Sequence, residues 1–281
     1  MAVRIFVDSS SDITPELAAE LNIHVVPLTI HFGDMVYKDR IDITPALFYE
    51  QIRKSKTPPN TSQPSPGEFL KIYEEHSSPG DTILSFHISS KLSGTYQSAV
   101  LASKQITDRT VHVIDTFSVS MGVAIPAVYA ARWAATGVAV TEILSRCAKM
   151  IASTRIYFLV DTLEYLQRNG RIGKAQAVVG SLLNIKPVLC MDDGEVAAAD
   201  RVRGKVQAKA RLVDLAFSDV KQARKYACAV MDAVNPQERD ALASITKERL
   251  PEVDLYQAPL GPVVGTHAGP GTVGIIITEV E

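Results

Sequence analysis

Long apolar runs are missing from this chain. None approaches the ~18 residues that a membrane span requires, so no integral membrane segment is expected. The opening stretch MAVRIFVDSS lacks a charged region followed by an apolar one, and no signal peptide is expected either. Cysteine is scarce: Cys147, Cys190 and Cys228 are odd in number and widely spaced. That pattern fits neither a zinc site nor a disulfide scaffold, and reads as three buried thiols in a reducing cytoplasm. The net charge is only −2, with no basic patch and no RNA-binding aromatic run, which argues against nucleic acid as a partner. HExxH, CxxC and the GxSxG nucleophile elbow are all absent; no metal, no cofactor and no α/β-hydrolase nucleophile is expected.

What is present is a folded, β/α-alternating chain. Hydrophobic residues make up 46% and charged residues 21%, and 281 residues suffice for one large or two ordinary cores. VRIFV (3–7), TILSFHI (82–88) and VHVID (111–115) read as buried strands. Helix starts at Thr14-Pro15, Thr44-Pro45 and Ser65-Pro66 combine an N-cap hydroxyl with proline at the first helical position. Gly33-Asp34 marks a hairpin. Further helices are expected from Gly94 and across SMGVAIPAVYAARWAA. Strands joined by crossover helices imply a mostly parallel sheet with helices on both faces.

The second half reads differently. RIYFLV is a strand, a helix runs on to about Arg168, and another helix covers AQAVVGSLL. KPVLCMDDGEVAAADRV forms two strands turned at Asp193-Gly194. A helix (205–218), a strand (224–231), a helix (236–248) and a final strand (273–280) follow. The expectation is an α/β protein of two lobes: a mostly parallel N-terminal lobe over 1–154 and a C-terminal α/β lobe with antiparallel strands over 155–281.

Four polar stretches stand out. DSSSD (8–12) follows the first strand, where open α/β sheets bind ligands, although an ordinary capping turn explains it equally well. TSQPSPGEF (61–69) holds Thr61 and Ser62 among four prolines. Capping accounts for Ser65 but not for these two hydroxyls, which the prolines hold in place. HISSKLSGTYQSA (87–99) puts Ser93 and Gly94 at a helix start, where unpaired N–H groups favour an anion. GTHAGPG (265–271) places His267 in a glycine-rich loop, where an imidazole can donate to an anion. These features are suited to holding an anion; no group evident in sequence breaks a bond. Arg171 and Arg203 read either as solvated charges or as contacts to an anion or an acidic partner.

Together these motifs resemble the DegV family, bacterial fatty-acid-binding proteins that act as carrier subunits of fatty acid kinase. VDSSSDI, TSQPSPGEF, ISSKLSGTYQSA, VIDTFSVSMG, RNGRIGKA, VRGKVQAKA and THAGPG occur in the family's order and spacing across nearly the whole chain. The resemblance implies two lobes, a long-chain fatty acid in an apolar tunnel, and a carboxylate held by Thr61 or Ser62, by Ser93 with Gly94, and by His267. It implies Arg171 and Arg203 in or near the face presented to the fatty acid kinase catalytic subunit. It also implies a cytoplasmic carrier that is not itself an enzyme. The helices expected at 118–136 and 175–184 have the Val, Ala, Leu and Ile to line such a tunnel, and core packing explains them equally well. Two departures are visible: Ala124 stands where the family more often has glycine, and Asn169 stands where glycine is usual, which asparagine's tolerance of the left-handed backbone accommodates. The competing reading is a serine-dependent hydrolase or transferase acting on an acyl or phosphate ester, with Ser93 or Ser62 as nucleophile and His267 as base. A third is a module binding some other small anion.

Overall fold

The computed structural model describes residues 2–55, 57–180, 185–221 and 223–280. The chain forms two compact units, Met1–Ala152 with Gly261–Val263, and Ser153–Leu260 with Val264–Glu281.

The first unit runs β1 (Val3–Asp8), α1 (Pro15–Glu20), β2 (Ile23–Val26), β3 (Thr29–Phe32), β4 (Met35–Lys38), α2 (Pro45–Lys54), β5 (Asn60–Ser62), α3 (Pro66–Glu75), β6 (Thr82–His87), α4 (Thr95–Ser103), β7 (Thr110–Asp115), α5 (Met121–Ala135) and α6 (Val140–Ser153). Its main sheet is wholly parallel, in the order β2-β1-β6-β7. Phe6 packs with Phe69 and Tyr73 of α3 and Ala99 and Ala102 of α4. Its neighbours Ile5 and Val7 point to the other face and are equally buried, so both faces of β1 are covered.

All three proline-led helices form with the capping inferred from sequence. Thr14 and Thr44 accept from the backbone of Leu17 and Leu47, and Ser65 completes a capping box with Glu68. The stretch VVPLTIHF, which precedes the Gly33-Asp34 hairpin, divides between two sheets. Pro27 interrupts it, so β2 joins the parallel sheet while β3 enters a separate antiparallel sheet ordered β4-β3-β5. That small sheet carries Thr61 and Ser62 on β5, where a loop was expected. Helix α6, unforeseen in the sequence, buries Ile143, Cys147 and Met150 at helical spacing.

The second unit contains β8 (Arg155–Leu159), α7 (Glu164–Arg168), β9 (Ile185–Asp192), β10 (Glu195–Arg203), α8 (Lys205–Phe217), β11 (Tyr226–Asp232), α9 (Pro236–Arg249), β12 (Asp254–Pro259), α10 (Pro262–Ala268) and β13 (Val273–Glu279). The sheet order is β10-β9-β8-β13-β11-β12, antiparallel except for the β11–β12 pair. Leu212, Val213, Ala216 and Phe217 of α8 and Leu242 and Ala243 of α9 share a core with Leu159, Val188, Cys228, Val230, Ile275 and Ile277 of the sheet. Helix α10 and strand β12 were not read from the sequence. The helix expected over AQAVVGSLL is only a 3₁₀ turn, Gly173–Val178, and residues 181–184 lie outside those described. Gly173 adopts φ +51°, and a Cβ there would sit 2.6 Å from the Val196 carbonyl, so the turn lies tight against β10.

All three cysteines are free; Cys147 and Cys228 are buried, and burial pushes both thiols up to about 12. Cys190, expected to be buried with them, is half-buried on β9. Among the described residues no helix is long and apolar enough to cross a membrane.

Candidate functional site

The loops that follow β1 and β6 are built on one carboxylate. Asp8 ends β1; its Oδ1 accepts from Ser10 N at 3.0 Å and from the Ser10 hydroxyl. Its Oδ2 accepts from Ile88 N at 2.9 Å and lies 3.1 Å from His87 Nδ1. With Nδ1 donating to the carboxylate, His87 Nε2 accepts from Ser85 Oγ at 2.7 Å, and Ser85 in turn accepts from the Tyr73 hydroxyl at 2.8 Å. This has the outline of a Ser-His-Asp chain. Asp8, Ser85 and His87 are 0% exposed and each is already bonded within the core, so the chain supports loops rather than a substrate.

Loop 88–94 is pinned further by Ser89 N on the Ser118 carbonyl at 2.9 Å and Ser90 N on Asp115. Leu92 N and Ser93 N both return to the Ser89 carbonyl, at 2.9 and 3.1 Å. The loop delivers Ser93 and Gly94 to the start of α4. Gly94 is the N-cap of this nine-residue helix and makes no side-chain cap bond of its own. Ser93 Oγ accepts from Thr95 N at 3.3 Å and lies 2.8 Å from the buried Thr95 hydroxyl. The terminus therefore offers hydroxyls and first-turn N–H groups, with no formal charge among them.

Thr61 and Ser62 sit side by side on β5, opposite Ile30 and Thr29. Successive strand residues point to opposite faces, so the two hydroxyls cannot serve the same face. Thr61 shares a face with Ile30, which is fully buried, and with Tyr37. Ser62 is exposed, and its Oγ lies 2.9 Å from His31 Nε2. Gln63, which no motif singles out in the sequence, lays its carboxamide on Gly94: a Cβ at 94 would be 2.7 Å from Gln63 Cδ.

In the second unit His267 lies in the last turn of α10, not in a loop. The glycine-rich loop begins after it, at Gly269 and Gly271, with φ +80° and +81°. A Cβ on Gly269 would meet Tyr165 Cγ at 2.8 Å. Burial, then the nearby Arg171 charge, holds His267 down at about 4, so the imidazole is neutral at pH 7. Asn169 does not take the left-handed backbone expected of it: its φ is −88°, and Gly170 supplies the left-handed step at +68°. The Asn169 amide donates to the Tyr165 carbonyl at 3.2 Å and to the Thr266 carbonyl at 3.0 Å, fastening α7 to α10. Arg171, half-buried, donates to the Asn169 carbonyl at 2.7 Å. The structure thus groups Arg171, Asn169 and His267, and leaves Arg203 exposed at the end of β10.

The DSSSD stretch is a buried 3₁₀ turn, Ser9–Ser11, closed by Asp12 at φ +51°. Asp12 accepts from Ser120 Oγ at 2.6 Å and from Gly261 N at 2.9 Å. Burial pushes its carboxyl up to about 7, although Ser120, the Arg40 charge and the Gly261 N–H pull the other way. Nearby Asp39, also buried, is pushed up to about 6 for the same reason. No sequence signal separated Asp8 and Asp12 from ordinary turn residues, and His87 inside a strand carried none. Among the described residues no group of three His, Cys, Asp or Glu side chains is arranged to hold a metal ion.

Comparison with known proteins places these features in context. The model of a family described as "Uncharacterised protein, DegV family" matches residues 2–280. A DegV domain-containing protein of Deinococcus radiodurans is 38% identical over 99% of this chain and 98% of its own. Among solved structures, DegV of Bacillus subtilis, described as a fatty acid binding protein, superimposes with a TM-score of 0.91 at 31% identity, covering 99% of each chain. A DegV family protein of Thermus thermophilus, described by its fatty acid binding, gives a TM-score of 0.87 at 35% identity, covering 99% of this chain and 100% of the other.

Proposed function

The chain belongs to the DegV family, and on that premise we propose that it binds a long-chain fatty acid and serves as a carrier, not an enzyme. The observation that carries this reading is the start of α4, which gathers Ser93, Gly94 and first-turn N–H groups with no fixed positive charge. A carboxylate removed from water needs several donors, because each unmade hydrogen bond costs about 1–3 kcal/mol. Ser93, the α4 terminus and one hydroxyl of the Thr61-Ser62 pair supply donors, and the family resemblance implies His267, whose imidazole is neutral, as a further one. Thr61 is the better candidate of the pair, since it shares a face with the fully buried Ile30 whereas Ser62 lies beside His31 on the exposed face. An apolar acyl chain gains about 0.8 kcal/mol per buried CH₂. The finer part of the proposal is that the bound acid is presented to a separate kinase, which converts it to acyl phosphate, with Arg171 and Arg203 on the face that meets the kinase. The donors at the start of α4 are neutral, which suits that exchange, while Arg171 is the cation beside His267.

The test is to purify the protein from a bacterial host, extract it gently and identify bound lipid by mass spectrometry. A stoichiometric fatty acid is expected, and a folded but empty protein that also fails to take up added oleate would overturn the reading. Ser93→Ala combined with His267→Ala is expected to weaken oleate binding by at least about ten-fold with the fold retained; unchanged affinity would remove the site assignment.

The 2.9 Å Ser62–His31 contact is the one observation that favours the hydrolase or transferase alternative, with a base other than the His267 expected for it. Among the described residues no carboxylate is bonded to the His31 ring. Covalent labelling of Ser62 by a fluorophosphonate probe would support that alternative; no labelling is expected.

A further inference from the structure

Glycine at position 94 is not required by its backbone. Its φ is −74°, which any residue adopts, and it is not in the left-handed region. The requirement is spatial. The three atoms nearest to a Cβ built on Gly94 are Oε1, Nε2 and Cδ of Gln63, the last at 2.7 Å, so the flat carboxamide lies directly on the glycine. Gln63 Nε2 also reaches to 3.5 Å from Ser98 Oγ, one turn further along α4. Pro64, which follows, is buried and restricts Gln63 to an extended backbone, so the direction of its side chain is set by the chain itself. Gln63 therefore spans from the Thr61-Ser62 strand to the open end of α4. It brings a neutral carboxamide to that end, with one amide hydrogen directed to Ser98 and the second beside it.

We infer that Gln63 is a specificity-determining residue of the anion site: its Nε2 donates to the ligand's acidic head, and Gly94 is kept small so that the carboxamide can lie there. The inference rests on the proposal that a fatty acid carboxylate docks at the start of α4, and it identifies a contact that the hydroxyls and His267 leave unassigned. An uncharged donor in this position adds a hydrogen bond without fixing a cation, so the head can still depart.

The experiment compares oleate with oleyl alcohol, which share an acyl chain and differ in the charge of the head. Gln63→Glu is isosteric and lies on an exposed residue, so folding is expected to be intact, with circular dichroism as the check. It is expected to weaken oleate binding about ten-fold or more through like-charge contact while leaving oleyl alcohol within about two-fold of wild type. Gln63→Ala, losing one neutral hydrogen bond, is expected to weaken oleate roughly two- to ten-fold. Gly94→Ala is expected to weaken oleate binding in the wild-type background and to have little further effect in the Gln63→Ala background, because the three atoms nearest the added methyl all belong to the carboxamide.

Wild-type oleate affinity in Gln63→Glu would overturn the inference, and so would an equal loss for acid and alcohol, which marks a structural role. Equal effects of Gly94→Ala in both backgrounds would overturn the explanation of the glycine. A wild-type protein that binds neither probe would instead bring down the fatty acid reading on which all of this stands.

Discussion

Replacing Asp12 by asparagine changes how the protein's stability responds to pH. The folded-state carboxyl sits at about 7 against an ordinary value of 3.8, and desolvation is the largest cause. An acid whose folded value is raised binds its proton more tightly in the folded state. Its stabilisation is complete below the unfolded value and is lost as pH rises through the folded one. The asparagine variant has no such proton, and its amide can accept from Gly261 N and donate to Ser120 Oγ in the same geometry. Between about pH 5 and about pH 8 the variant is expected to gain about 3 kcal/mol on wild type, at 1.36 kcal/mol per unit. His24 and His267, both held down at about 4, act with the opposite sign and lose stability as pH falls from their usual range. They titrate in both proteins and largely cancel in the difference, whereas Asp39, whose charge adds to the rise at Asp12, cancels only in part. The assay is urea denaturation of the two proteins side by side at four or so pH values. Parallel curves, or a gain for the variant at the acid end, would refute the claim that Asp12 ionises inside the fold.

Two further substitutions separate structural residues from ligand-binding ones. Ser65→Ala breaks the capping box of α3 and is expected to cost about 1 kcal/mol in thermal or chemical denaturation, with oleate affinity unchanged. A loss of affinity comparable to that of Gln63→Ala would mean that Ser65 touches the ligand. Gly173→Ala places a methyl against the Val196 backbone at a left-handed φ, and is expected to destabilise by more than about 1 kcal/mol; full stability would mean that the turn does not rest on β10 as described.

Sequence patterning made the N-terminal architecture legible because its strands are short buried runs and its helices announce themselves with Thr-Pro or Ser-Pro starts. Helix α6 has clear amphipathic spacing in Ile143, Cys147 and Met150, but no capping signal marks its start in the sequence. His267 was misplaced because GTHAGPG reads as loop, whereas the glycines that turn the backbone, Gly269 and Gly271, come after the helix has ended. The split of VVPLTIHF follows from Pro27, whose missing N–H falls where the chain changes sheets. Within the candidate site, the hydroxyl-bearing residues could be named from their motifs. What could not be read was the relation between residues distant in sequence, such as Gln63 on Gly94 or Asp8 beneath Ile88, because long-range packing leaves no local pattern.

The saturation of Asp8 bears on the thermodynamics of ligand capture. Four donors occupy its two oxygens, which is about the full capacity of a carboxylate. The backbone at Ser10 and Ile88 is thereby frozen before any ligand arrives. Loops that commonly become ordered only on binding, at about 0.5–1.5 kcal/mol per immobilised side chain, are here ordered when the chain folds. A ligand head docking at the start of α4, as proposed, would then lose little conformational entropy, and its affinity would be carried by the contacts themselves.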